Sequence, residues 1–598
     1  MAKLRAEVAS RRRGKLKSLS LLLALALVLS LGIMALPMAG TVEANPNDWY
    51  VDGTLGTDDG THGTGPGADA FKTIQYAIDD SRVIDGDTIN VAAETYNENL
   101  IINKSINLLG PNTGINPNTQ TRVAEAIIEK DIAPGPDPYS GPYTGIVNIA
   151  ADSVVFDGFE VRGIDPQTGR TSAITIYQAN NVIIKNTLAH HTVDVLIYPY
   201  QANYFLIENC RIYDSTDGDE AIKPSSRISG SSTSNDVTIR GNTIYDARCI
   251  WVYKGSRWTI ENNTIHDVEF GINVDSGGDH IVRNNLIYAF QKAGIKAEKT
   301  STITSNTITY ATGGSGSYYG SGIAVKSGFN EGTIKNNIIA SCKKGIYLRD
   351  GTPTVAIDYN DVWNNPSGNY VGFTAGDNDI SLDPLFVGDS DYHLQSPAGS
   401  YHSGDWMADA EYSPCIDAGD PSSDFSNEPS PNGGRINIGA YGNTPQASKT
   451  YELGNLKILK YHDFNHDGHR DAAEGGLSGW EFTIVGPGGT STKTTDAAGI
   501  IILNDIPTGH YTITEILKPG WVNADPGGAA PYEKTITVIK GGTTTVEFGN
   551  WEPSPPPPSV GGEAYPVNKL GILAPWLALI AAIIAGSTIF VRRRRAQS

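Results

Sequence analysis

The chain has 598 residues, and its 45 basic against 65 acidic side chains give a formal net charge of −20. That balance argues against nucleic acid as a partner, because such an interface needs a basic face. It fits a protein outside the cell that meets cations or salt. The four cysteines, Cys210, Cys249, Cys342 and Cys415, lack metal-ligand spacing and read as small buried residues rather than a disulfide framework.

Residues 1–44 read as an export signal. Lys3, Arg5, Arg11, Arg12, Arg13, Lys15 and Lys17 precede an apolar run from Leu19 to Leu36, and Val42-Glu43-Ala44 offers a cleavage site before Asn45. Trp49-Tyr50-Val51 then forms a short strand. Ile74, Ala77 and Ile78 fall on one face of a short helix that Thr73 can cap. This helix is expected to plug the open end of the repeats that follow.

From Asn186 to Asn360 one short pattern recurs: apolar residue, spacer, Asn, spacer, Ile. It appears in Arg240-Gly241-Asn242-Thr243-Ile244, Glu261-Asn262-Asn263-Thr264-Ile265, Arg283-Asn284-Asn285-Leu286-Ile287 and Lys335-Asn336-Asn337-Ile338-Ile339. Cys210 takes the Asn place once, and the positions 186, 210, 242, 263, 285, 306, 337 and 360 are spaced by about 22 residues with occasional insertions, the signature of a solenoid. A second strand recurs as Gly271-Ile272-Asn273-Val274, Gly294-Ile295-Lys296-Ala297 and Gly345-Ile346-Tyr347-Leu348. Stacking these units makes parallel sheets, and the recurring Asn can ladder with its copies at a buried turn. The pattern resembles the right-handed parallel β-helix family that includes the pectate lyases, here over residues 45–365.

Alternation sends the residues after each core Ile outward. That row contains Lys223, Trp251, Tyr253, Asn273, Asp275, Lys296 and Glu298. Aromatic rings stack on sugar faces, and amide and charged groups bond hydroxyls or carboxylates, so Trp251, Tyr253, Asn273, Asp275, Lys296 and Glu298 are the candidate carbohydrate-binding residues. The resemblance implies that β-helix lyases use a basic residue near an acidic calcium cluster, which makes Asp217, Asp219, Glu220 and Lys223 the candidate catalytic set. The Gly-His-Gly and Arg-Ile-Lys motifs of polygalacturonases and the Arg-His-Gly of chondroitin lyases are absent from the sequence. Binding or adhesion to an extracellular polysaccharide or cell-wall glycan is therefore the first reading. A polysaccharide lyase or glycosidase is the second, and a structural surface-layer component the third.

Residues 366–451 read as the C-terminal cap of the solenoid, and residues 452–551 as a separate β-sandwich of short strands with Gly and Pro turns. A calcium loop opens this domain. Asp463, Asn465, Asp467, Gly468, Asp471 and Glu474 occupy positions 1, 3, 5, 6, 9 and 12 of the twelve-residue pattern, with His469 also in the ligand set. The sandwich resembles the prealbumin-like B-type domains of serine–aspartate repeat adhesins, where calcium implies a stiffened stalk. Strand parity places Lys460, Glu515 and Asn550 toward the core, where a lone Lys is costly. Resemblance to collagen-adhesin B-type domains implies a Lys460–Asn550 isopeptide bond with Glu515 as proton shuttle.

Residues 552–569 form a proline-rich spacer. Leu570 to Val591 is uncharged and long enough to span a bilayer, and Arg592 to Arg595 would hold the tail, 592–598, in the cytoplasm. The resulting expectation is an all-β chain: a right-handed parallel β-helix, a small β-sandwich and a C-terminal transmembrane helix. Such a protein would be exported and anchored at the cell surface, facing glycan outside and membrane at its end.

Overall fold

Each repeat folds as one coil of short strands, because β-branched residues alternate with Asn and Gly turns that let the chain reverse. The computed structural model describes residues 47–130, 145–164, 171–215, 218–224, 233–313, 316–388, 390–553 and 569–594. The expected signal, Asp217, most of the proline-rich spacer and the end of the basic tail lie outside these residues. Two units are distinguished, residues 1–451 and 452–598.

In the first unit the coils stack in parallel register and build three faces. The first face is a twelve-stranded sheet running from Asp48–Val51 to Val355–Asp358. A fifteen-stranded sheet makes the second face. It also covers the upper third face, because strands Thr264–Val274 and Leu286–Ala297 run through a corner at Val268/Phe270. The third face begins with a four-stranded sheet, Leu100–Ile102, Gly145–Ile149, Ser172–Tyr177 and Ile197–Tyr200. Like residues stack inside the coil. Ile207, Ile239, Ile260, Val282, Ile303 and Ile334 form one column, each fully buried. Burial of each such side chain contributes about 1.5–3 kcal/mol.

The turn between the first and second faces carries the asparagine ladder. Each Nδ2 donates to the next Oδ1: Asn242 to Asn263 at 2.9 Å, Asn263 to Asn285 at 2.9 Å, Asn285 to Asn306 at 3.0 Å, Asn306 to Asn337 at 2.9 Å and Asn337 to Asn360 at 3.0 Å. The ladder ends on Asp379 and begins where the backbone amide of Cys210 donates to Asn242. In the coil before Cys210 the position belongs to Thr187, since Leu188 pairs with Arg211, and Asn186 sits one residue before it in a left-handed turn. All four cysteines are buried thiols, and burial pushes the Cys210 thiol up to about 12.

The helix Ile74–Asp79 covers the first coil with Ile74, Ala77 and Ile78 fully buried and Thr73 as N-cap. At the other end residues 380–450 do more than close the last coil. They fold back along the turn between the first and second faces: Asp420 N meets Asn336 Oδ1 at 2.7 Å, Ala440 N meets Thr307 Oγ1 at 2.9 Å, and Asn284 Nδ2 donates to Ala440 O at 3.0 Å. Cys415, Ile416 and Ile438 pack on Ile338 and Ala340 in a small core of their own. Arg435 bonds the carbonyls of Ala418 and Gly419, a turn-forming role.

The second unit holds two four-stranded sheets over a common core of Leu456, Ile458, Trp480, Phe482, Ile513 and Phe548. Its long strands Leu453–His462 and Thr543–Trp551 pair in parallel, Lys460 opposite Phe548 and His462 opposite Asn550. The expected transmembrane helix requires correction. Residues 570–591 fall within a helix, Lys569–Arg594, with Pro575 inside it. Among the described residues no helix is long and apolar enough to cross a membrane. Pro575 removes one backbone hydrogen bond near the start of the Lys569–Arg594 helix.

Candidate functional site

The third face aligns the outward residues of successive coils. Trp251 lies opposite Asn273, Asn273 opposite Lys296, Lys296 opposite Ala324, and Ala324 opposite Tyr347. Lys223 precedes them, since Trp251 N donates to Ile222 O at 2.9 Å. Two residues further along each strand, Tyr253, Asp275, Glu298, Lys326 and Arg349 make a second line.

These lines interlock by charge. Trp251 Nε1 donates to Asp275 at 2.6 Å, and Lys223 Nζ stands 3.9 Å over the Trp251 ring, a cation–π contact. Trp251 and Tyr253 meet edge to face at 5.3 Å. Lys296 bridges Asp275 at 2.7 Å and Glu298 at 2.6 Å, and Lys326 closes on Glu298 at 2.6 Å. Tyr318, from an inserted loop, lies over the end of the row, 5.4 Å from Lys296 and 5.5 Å from Arg349.

The network fixes its protonation states. Burial pulls the Lys296 ammonium down, but its bonds to Asp275 and Glu298 outweigh this and the net shift is upward. Burial pushes Glu298 up, but Lys296 and Lys326 outweigh it and hold the carboxyl below its ordinary value. A raised Lys and a lowered Glu stay charged near neutral pH, which suits neither a general base nor a general acid. Asn273 is 5% exposed, and its Oδ1 has no hydrogen-bond partner. An unused buried acceptor between Trp251 and Lys296 is a cost unless a ligand donor meets it.

The candidate catalytic set is only partly assembled. Asp217 lies outside the described residues. Asp219 is half-buried and spends its backbone on Ser215 and Arg248. Glu220 is fully buried, with Lys223 at 3.1 Å and Arg248 at 3.7 Å supplying charge but no hydrogen bond of good geometry to either oxygen.

A line of aromatic rings on the second face went unread in the sequence. His190, Tyr213, Tyr245, His266 and Tyr288 stack face to face at 4.5, 4.9, 5.1 and 4.9 Å, and Tyr392 ends the stack. The signal was present: from Tyr213 onward, an aromatic follows the Ile at the same place in successive repeats, Ile212-Tyr213, Ile244-Tyr245, Ile265-His266 and Ile287-Tyr288. Their faces are occupied by one another, so they present edges outward and serve as a stacking spine rather than a sugar platform.

In the second unit, Asp463 is fully buried and accepts from His466 N at 2.7 Å and Gly468 N at 2.9 Å. Glu474 reaches back to Phe464 N and Asp471 N, each at 2.9 Å. Asn465 Nδ2 lies between Asp467 at 2.9 Å and Asp471 at 3.0 Å, and the exposed His469 donates its backbone N–H to Asp467 at 2.8 Å. The donor set is oxygen-rich, as calcium requires. Among the described residues no group of three His, Cys, Asp or Glu side chains converges as a metal site. The neighbouring core brings three expected partners together: Lys460 Nζ is 2.9 Å from Glu515 Oε2, Asn550 Nδ2 donates to Glu515 Oε1, and all are buried. Asn523 Nδ2 donates to Glu515 at 2.8 Å and to Asn550 Oδ1 at 3.1 Å. Burial pulls the Lys460 ammonium down to about 8 despite Glu515.

Residues 172–326 match the family described as "Right handed beta helix region", and residues 346–419 match "Disaggregatase related". No curated protein matches the chain. Among solved structures, pectate lyase Pel9A is similar at 15% identity over 66% of this chain and 96% of its own, with a TM-score of 0.37. The complex of XylC with xylose is similar at 12% identity over 59% and 90%, with a TM-score of 0.39. The TIE protein of Bacillus anthracis shares 26% identity over 18% of each chain, with a TM-score of 0.14, so this chain spans under a fifth of its length. Parallel pairing on all three faces, the asparagine ladder and the family match together identify residues 172–326 as a right-handed parallel β-helix.

Proposed function

We propose that the β-helix is the binding module of an exported protein and holds an extracellular polysaccharide along its third face. The observation that carries this is the in-register row Lys223, Trp251, Asn273 and Lys296, with its fixed charges and one unused buried acceptor. The row supplies an aromatic edge, ammonium groups and an amide at the strand spacing of about 4.8 Å, which suits an extended anionic chain. The test is affinity electrophoresis of the purified full chain in gels cast with polygalacturonate, alginate or neutral glycans. Retardation by an acidic glycan, weakened by salt and reduced at least about tenfold in Trp251→Ala, is expected. Equal retardation of wild type and Trp251→Ala would remove the row from the account.

We propose a supporting role for the β-sandwich as a stiffened spacer, on the observation that Lys460 and Asn550 both contact Glu515 in a closed core. The Lys460 amine attacks Asn550 Cγ, an amide C–N bond forms, ammonia leaves, and Glu515 carries the proton from amine to leaving group. Intact mass should be one ammonia below that of the uncrosslinked chain and return to the full value in Glu515→Gln. A full-mass wild type would end this reading. Calcium in the Asp463 loop would be held by Asp463, Asn465, Asp467, Asp471 and Glu474, neutralising their carboxylates.

A further inference from the structure

Between the first and second faces lies a groove of about 420 Å³ whose lining contains no charged side chain, in a chain carrying 45 basic and 65 acidic residues. One wall is the loop around Asn118, held down by Asn118 Nδ2 on Cys210 O at 3.3 Å and Gly241 O at 3.0 Å, and by the Arg211 guanidinium on Pro117 O. The other wall is the returning segment at Tyr441 to Gln446. It is fixed by Asn284 Nδ2 on Ala440 O and Gly442 O at 3.0 and 2.7 Å, by the Tyr441 ring stacked at 3.6 Å on His393, and by Gln446 on His393 at 3.3 Å. Both walls are thus tied to the coils by hydrogen bonds.

The floor follows from the repeat. In each Asn-Asn pair the second residue enters the ladder, and the first takes a left-handed conformation that turns its side chain outward; φ is 55° at Asn262 and 54° at Asn284, and Asn209, which precedes Cys210, shares the conformation at 53°. Asn284 is spent on the wall. Asn209 and Asn262 make no side-chain hydrogen bond among the described residues, although both line the groove. At Gly241 the coil between them lacks a side chain, and an added Cβ would meet Asn209 Oδ1 at 2.4 Å. The gap from Gly241 to Asn284 is two coil steps, about 10 Å at the ~4.8 Å strand spacing.

We infer that this groove binds a short neutral saccharide. Each free amide offers a donor and an acceptor, the pairing that sugar hydroxyls satisfy and that water-exposed carboxylates do not. Leu286 and Tyr441 supply the apolar and aromatic surface for the C–H face of a sugar ring. With no charge in the lining, an anionic ligand gains nothing here over water. This site is separate from the third-face row and takes the opposite class of glycan.

The experiment is calorimetric titration of the full chain with maltotriose, xylotriose and triacetylchitotriose at low and high sodium chloride. Binding of at least one trisaccharide with an affinity unchanged by salt is expected. The double variant Asn209→Gly/Asn262→Gly keeps the left-handed backbone and removes both amides, and should weaken binding at least tenfold. Thr264→Arg, which places a cation in the groove from a half-buried outward position, should abolish it. Trp251→Ala should leave it intact, which separates this site from the polysaccharide row. Failure of all three sugars to bind, or binding unaltered in both groove variants, would overturn the inference.

Discussion

Lys296 shows how much a single side chain on this face depends on its neighbours. The residue is 9% exposed, and its ammonium is held by Asp275 from the preceding coil and by Glu298 two residues along its own. Removing it leaves Asp275 with only Trp251 Nε1 and Glu298 with only Lys326, a loss approaching the ~3–5 kcal/mol of a broken buried pair. Lys296→Met should therefore lower the melting temperature and also abolish retention by acidic glycans, whereas Lys326→Met, at the more exposed end, should weaken retention with little thermal effect. Calorimetry and affinity electrophoresis on the two variants separate these outcomes. Period-two alternation predicts the outward direction of Trp251, Tyr253, Asn273 and Lys296. It did not give the burial of Asn273 and Lys296, which comes from ion pairs between coils and from Tyr318 on an inserted loop. Such contacts join residues more than twenty positions apart and leave no local trace.

At the scale of the element, the asparagine ladder and the returning segment set the stability of the helix. Asn263→Leu removes the amide between Asn242 and Asn285 and leaves buried backbone groups unpaired, at about 1–3 kcal/mol for each stranded group. Chemical denaturation should register that loss, while Asn262→Gly one residue earlier should be nearly silent. The returning segment responds to pH. Burial pushes Asp361, bonded to Cys415, up to about 7, Glu428 up to about 7, and Asp417 up to about 6. All three folded-state values exceed the ordinary carboxyl value, so the folded chain binds more protons in that interval. The stabilisation is complete below the unfolded pKa of about 4 and is lost as pH rises through about 7. Protection against hydrogen exchange over residues 380–450, taken relative to the intrinsic exchange rate at each pH, should be lower at pH 8 than at pH 5, and Asp361→Asn with Glu428→Gln should flatten the difference. The repeat, the ladder and the plugging helix were legible because they follow from a local period and a local apolar face. The lateral return of residues 435–446 was not, because it rests on contacts such as Ala440 on Thr307 across more than a hundred residues. The run at 570–591 reads as a span on its length and lack of charge, but among the described residues no helix is long and apolar enough to cross a membrane.

At the scale of the whole molecule, the proposed tasks of the two units are separate: the β-helix holds glycan, and the β-sandwich resists extension. Calcium at the Asp463 loop is part of the proposed spacer role. Adding calcium to chelator-treated protein should raise the unfolding temperature of the sandwich transition alone, and Asp463→Ala should erase that rise, because ligand binding to the folded state stabilises only the unit that holds the site. The central claim concerns the first task, that the third face binds polysaccharide without cutting it. The most direct measurement incubates the full chain with acidic and neutral polysaccharides, with and without calcium, and records retention and ultraviolet-absorbing unsaturated ends in the same samples. The account predicts retention of an acidic glycan, lost in Trp251→Ala, with no new ends. New unsaturated ends that disappear in Lys223→Ala would contradict it and make the third face a lyase site.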